Sequence, residues 1–140
     1  MVLSDVQRQR SIASRAFYSE VLGFTVIAES SDDPAVRTDP DRIYGGVVFE
    51  GPGIHLGLRP VADPDDRFVS ERVGLDHLSF TVASHGALVE AAAALEERGV
   101  PHGEVTDLPD WGLTILSFSD PDGAHLELSA ALERSPSTPA

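Results

Sequence analysis

With 140 residues, 41% of them hydrophobic, the chain is long enough for one domain with a real core, since folding at this size removes roughly 68% of the unfolded surface from water. A net charge of −13 creates a negative field that repels nucleic-acid phosphates and anionic lipid, which argues against nucleic acid and membrane as partners and reads most simply as solubility. Cysteine is absent, which excludes disulfides, thiolate nucleophiles and Cys-based zinc sites and leaves His and carboxylates as ligands for any metal.

The first ten residues lack the apolar core of a signal peptide, and no stretch approaches the ~20 apolar residues of a membrane span, so the cytoplasm is the expected location. A helix is expected from Ser11 or Ser14 to Leu22, with Gly23 as its stop. Strands are expected near Phe24 to Ala28, Ile43 to Phe49 and Ile54 to Leu58, with a polar loop from Ser31 to Asp41. Arg59 to Arg72 is rich in Asp and Pro and reads as a solvated linker.

The second half is the clearer one. Leu78, Phe80 and Val82 alternate with His77, Ser79 and Thr81, the mark of a strand with two distinct faces. Ser84 is a good N-cap, Leu88, Ala91, Ala92 and Leu95 fall at helical spacing, and Gly99 ends the run. A short strand at His102 to Thr106 and two apolar runs, Leu113 to Phe118 and His125 to Ser129, complete the order βαβββ. Between those two runs Asp120-Pro121-Asp122-Gly123 predicts a tight antiparallel hairpin. Residues from about Glu133 read as a frayed tail.

The first half echoes the second. Gly53-Ile54-His55-Leu56-Gly57-Leu58 aligns without a gap to Gly123-Ala124-His125-Leu126-Glu127-Leu128, and internal duplication is the simplest account. The expected organisation is one domain over 1–140: module one about 1–60, a linker about 61–73, module two about 74–131, and a tail 132–140.

Three segments in this order, Ser14-Arg15-Ala16-Phe17-Tyr18-Ser19-Glu20-Val21-Leu22-Gly23-Phe24, Leu75-Asp76-His77-Leu78-Ser79-Phe80 and Phe118-Ser119-Asp120-Pro121-Asp122-Gly123-Ala124-His125-Leu126-Glu127-Leu128, resemble the vicinal-oxygen-chelate superfamily of glyoxalases, bleomycin-resistance proteins and extradiol dioxygenases. The resemblance implies an α+β fold in which two βαβββ modules form a cupped, incomplete barrel of mixed sheet with helices outside. It also implies a homodimer and a small molecule held in the cup. Family enzymes bind one divalent metal with a side chain from the first and last strand of each module. In module two those positions are His77 and Glu127. In module one the counterpart of Glu127 is Gly57, and the other position falls near Met1 or Leu3, so half the set is missing unless Ser4, Asp5 or Gln7 takes a place through a shifted register.

Period-two alternation puts His55 on the face of Gly57 and His125 on the face of Glu127, so a non-standard set of His55, His77, His125 and Glu127 is also open. His77 has a plainer reading as a bridge between strands, and Glu127 as a pocket carboxylate. Trp111 is a candidate pocket wall or a plug at the barrel end. His85 and His102 are expected at solvent.

Two ligands rarely retain a catalytic ion, so the favoured function is metal-free binding of a planar or aromatic ligand by His55, His77, Trp111, His125 and Glu127, with no cofactor. The alternative is a metal-dependent lyase, isomerase or extradiol-type dioxygenase in which Fe, Mn, Ni or Zn is held by His77 and Glu127 with a further ligand, and Glu127 acts in catalysis. An interaction domain with a vestigial cup is the third reading.

Overall fold

The computed structural model describes residues 13–31 and 33–133. Met1, Leu3, Ser4, Asp5, Gln7, a helix start at Ser11 and the tail beyond Glu133 lie outside the described residues. The chain divides into two compact units, the first ending at Arg67 and the second beginning at Phe68. Both are α+β, and neither sheet closes on itself. No helix among the described residues is long and apolar enough to cross a membrane.

In the first unit, helix α1 runs through residues 13–16 and widens into a π turn at Phe17–Val21. The wider turn lets two adjacent aromatics, Phe17 and Tyr18, both turn inward. Tyr18 lies 5.3 Å from Phe17, 6.4 Å from Phe24 and 5.8 Å from Phe49, ring centre to ring centre. All four rings are buried, Phe49 completely, and they form the apolar centre of the unit. Outside this cluster Arg15 grips Glu29 bidentately, Nε to Oε1 at 2.5 Å and Nη2 to Oε2 at 3.0 Å. The guanidinium hydrogen bond holds the Glu29 carboxyl below its usual range, but both side chains are largely exposed and such surface pairs add little stability.

Strands β1 (Thr25–Glu29), β2 (Val47–Gly51) and β3 (Ile54–Leu58) form an antiparallel sheet in the order β1-β2-β3. β2 starts later than the expected Ile43. Ile43 and Tyr44 instead lie in left-handed conformation, at φ 46° and 56°, inside the 3₁₀ stretch Pro40–Gly45. Left-handed backbone is costly for a β-branched residue, so tertiary contacts override strand propensity here. Tyr44 N donates to Asp39 O, and the Arg59 guanidinium sits 4.0 Å over the Tyr44 ring. Arg59 also donates to Arg37 O, so it packs against its own unit. Gly46 must stay glycine, because a β-carbon there would fall 2.1 Å from Leu58 O.

The second unit has β4 (Leu78–Thr81), α2 (His85–Glu97), β5 (Thr106–Leu108), β6 (Leu113–Ser119) and β7 (His125–Ala131). This is βαβββ, with spatial order β4-β7-β6-β5; β4 runs parallel to β7 and the other pairs are antiparallel. Ser84 Oγ caps α2 by accepting from Ala87 N, and Gly99 at φ 68° ends the run. Leu88 and Leu95 carry the buried face of α2, which packs on β6 and β7. The strand expected at His102 to Thr106 is only a single bridge, His102 to Phe118, before β5 begins at Thr106. Phe68, expected in a solvated linker, donates its N–H to Asp122 O.

The β6–β7 turn is built as its residues demand. Asp120 Oδ1 accepts from Asp122 N and Ala124 N, and Gly123 takes φ 82°. Gly53, its counterpart, takes φ 71°. The ladders match too: Glu50 faces His55 and Val48 faces Gly57, as Ser119 faces His125 and Ser117 faces Glu127. The repeat is therefore one of backbone geometry as well as of sequence.

Two substitutions test this packing. Phe49→Ala should cost about 3–5 kcal/mol, because it empties the aromatic cluster. Arg37→Met should raise the urea midpoint, by about 1 kcal/mol or more of stability, because Arg37 Nε and Nη2 are buried with no hydrogen-bond partner. A lower midpoint for Arg37→Met would mean that the guanidinium has found an acceptor.

Candidate ligand-binding site

The site follows from the two faces of β7. Leu126 and Ala130 are buried on the face that α2 covers, so His125, Glu127 and Ser129 point to the other. β4 is registered on β7 with Leu78 beside Leu126 and Ser79 beside Glu127. His77, one residue before β4, therefore reaches the face of Glu127. Its Nε2 stands 3.9 Å from Glu127 Oε2. Ser79 Oγ donates to Ser129 Oγ at 3.0 Å, closing the polar row behind them.

The imidazole is oriented from its other side. His77 Nδ1 lies 2.7 Å from Asp76 Oδ2, so in the neutral ring the proton sits on Nδ1 and the Nε2 lone pair faces Glu127. Glu127 is 17% exposed. Around these residues runs an open groove of about 560 Å³, lined by Ser117, Ser119, His125 and the Pro101 to Gly103 segment, which runs beside β6 with Gly103 N donating to Ser117 O. His125 stands edge-on to Phe68, ring centres 5.4 Å apart.

The remaining expected residues lie elsewhere. His55 belongs to the first unit, facing Glu50 across the β2–β3 ladder. Trp111 closes a 3₁₀ turn, Pro109–Trp111, is 79% exposed and does not line this groove; nor is it the buried plug of a barrel end. Asp76 and the serines of β6 drew no attention in the sequence. The signal for Asp76 was its place beside a strand-edge His, where a carboxylate selects the tautomer.

His102 corrects an expectation. Its ring is not free in solvent but clamped, with Nδ1 2.6 Å from Gly103 O and Nε2 2.8 Å from Glu96 Oε2 on α2. Both acceptors want a proton, so the imidazolium is favoured and the pKa is raised, first by the Gly103 carbonyl and then by Glu96. His85, also expected at solvent, opens α2 and is partly buried.

A four-ligand metal centre finds only half its donors here. Glu127 and His77 each offer one atom, Gly57 offers none, and no three His, Asp or Glu side chains gather around a common point among the described residues. The described residues do not fit a metal held in the family's usual way. A β-carbon on Gly57 would meet nothing within 4 Å, so the missing side chain leaves open space.

The model of the Glyoxalase/Bleomycin resistance protein/Dioxygenase superfamily matches residues 6–128. The chain belongs to that superfamily. It is 35% identical over 117 residues to the uncharacterized protein YwkD of Bacillus subtilis, covering 82% of this chain and 84% of that one. The uncharacterized protein YaeR of Escherichia coli is 31% identical over 115 residues, covering 82% and 83%. Among solved structures, a glyoxylase/bleomycin resistance protein/dioxygenase domain from Frankia sp. EAN1pec superposes with a TM-score of 0.68 at 26% identity, covering 89% of this chain and 85% of that chain. The α+β fold anticipated from the three motifs is thus the fold of the family.

The His102 clamp predicts a pH effect with a definite sign. A raised pKa in the folded state means that the stabilisation is fully present below the unfolded value of 6.5 and is lost as pH rises through the folded value. Thermal melts of the wild type and His102→Gln across neutral pH should show the wild type more stable on the acid side, with the gap closing as the solution becomes alkaline. A gap that widens with pH would contradict the clamp.

Proposed function

We propose that this protein is a small-molecule-binding member of its superfamily, which holds a planar or aromatic ligand along the groove of the second unit and uses no metal. One observation carries the reading: His77 and Glu127 meet at a groove, yet no third ligating side chain joins them among the described residues. A binder needs only a shaped cavity with a few placed polar groups, whereas Lewis-acid chemistry needs a retained ion.

A second reading has one feature in its favour. The Asp76 carboxylate on Nδ1 leaves Nε2 free to coordinate, the usual support for a metal-bound imidazole. A metal-dependent lyase, isomerase or dioxygenase would then need further donors from beyond the described residues.

Metal analysis of the purified protein, combined with thermal shift, separates the two. The binder reading expects far less than one Fe, Mn, Ni or Zn per chain. It also expects small aromatic compounds to raise the melting temperature, since a ligand at a hundred times its Kd stabilises the folded state by about 2.7 kcal/mol. One ion per chain, lost in Glu127→Ala, would replace it with the enzyme reading.

A further inference from the structure

We infer that the first unit carries an oxyanion site at the loop between β1 and β2, where the Nε–Nη2 edge of Arg37 binds a phosphate or carboxylate group with the help of Ser30 and Arg59. The site is built wholly from the first unit and does not depend on the role proposed for the groove of the second.

The register of the sheet gathers these residues. Glu29 and Leu58 both pair with Val47, so Ser30, Gly46 and Arg59 meet at one end of the sheet. Ser30 N donates to Gly46 O at 3.0 Å. The loop folds Arg37 back onto the same end: a β-carbon on Gly45 would stand 3.7 Å from Arg37 Cγ and 3.5 Å from Ser31 O. Arg59 Nη2 donates to Arg37 O at 3.0 Å.

The polar atoms brought here lack acceptors and counter-charges. Arg37 Nε, Arg37 Nη2 and Ser30 Oγ are buried, with no hydrogen-bond partner among the described residues. Nε and Nη2 form the side-on edge of the guanidinium, whose fork matches two oxygens of one carboxylate or phosphate. Arginine stays protonated at any working pH, so the charge is present whatever the state of its neighbours. No carboxylate pairs with Arg37 or Arg59 among the described residues. The acids of the loop are occupied with their own turns, Asp33 Oδ1 accepting from Ala35 N and Asp39 Oδ1 from Asp41 N. A covered guanidinium edge without acceptors is costly, and an oxyanion meets its charge and both N–H donors at once.

The net charge of −13 repels anions at long range. That field is screened beyond a Debye length of about 8 Å, and within it the two arginines set the local sign. Entry requires the loop to open, because both nitrogens are covered. Ile43 and Tyr44, beside Gly45 in the turn that packs on Arg37, have left-handed backbone at φ 46° and 56°, so opening this turn releases strain.

Calorimetric titration with inorganic phosphate and with acetate, and thermal melts in each against sodium chloride at matched pH and ionic strength, test the site. Phosphate stabilises folded proteins generally by exclusion from their surface, so the readout is the difference between wild type and variants. The wild type should bind the preferred anion about tenfold or more tightly than Arg37→Lys, which keeps the charge and loses the fork. The extra rise in melting temperature in that anion should vanish in Arg37→Lys, whose melt in chloride confirms that it folds. Arg37→Met, expected above the wild type in urea, should lose its advantage when that anion replaces chloride. The tighter anion names the class of ligand, a phosphate ester or a carboxylate. Binding of neither anion, or equal binding by Arg37→Lys, overturns the inference. So does a lower urea midpoint for Arg37→Met in chloride, which would give Arg37 an acceptor within its own chain.

Discussion

Everything at the candidate site depends on the register of β4 against β7. Ser79 lies beside Glu127 and Leu78 beside Leu126, so the row that ends in His77 shares the face of Glu127. Side-chain direction in a strand repeats every two residues, and a slip of one would turn Glu127 toward α2 and bring Leu126 into the groove. The register is protected from both sides. Leu126, Leu116 and Phe118 are buried with Leu88 and Leu95 of α2, and the turn at Asp120 to Gly123, tied by its own carboxylate, fixes how β6 meets β7. Burial of apolar side chains thus positions polar ones that gain little from packing themselves.

The second unit was readable for the same reason. Alternation at Leu78 to Val82, helical spacing from Leu88 to Leu95 and the Asp-Pro-Asp-Gly turn are local signals that agree with the tertiary structure. The expected runs at Leu113 to Phe118 and His125 to Ser129 extend by a residue or two into β6 and β7. The first unit was harder. Ile43 and Tyr44 look like strand residues, but the Arg59 guanidinium and the Asp39 carbonyl hold Tyr44 in a left-handed turn. Neither the local Asp39 contact nor the more remote Arg59 leaves a periodic trace in the sequence. His102 was missed in the same way, because its partner Glu96 sits on another element.

Of the site, the sequence supplied the residues but not their supports. Alternation put His77 on a polar face, and the resemblance to the family singled out Glu127. That Asp76 would select the His77 tautomer depends on a rotamer, and that Trp111 would stand on an exposed 3₁₀ turn depends on how β5 connects to β6. The two units, alike in their hairpins, differ in what they present: the position that holds a partly buried carboxylate in one holds glycine in the other.

That glycine has an evolutionary meaning. Position 57 sits mid-strand, paired with Val48, with free volume where a side chain would begin. Among the described residues nothing has closed over the vacancy, so a single codon change can place a carboxylate there without refolding its hairpin. An acidic side chain can thus be added at position 57 while the frame around it stays the same.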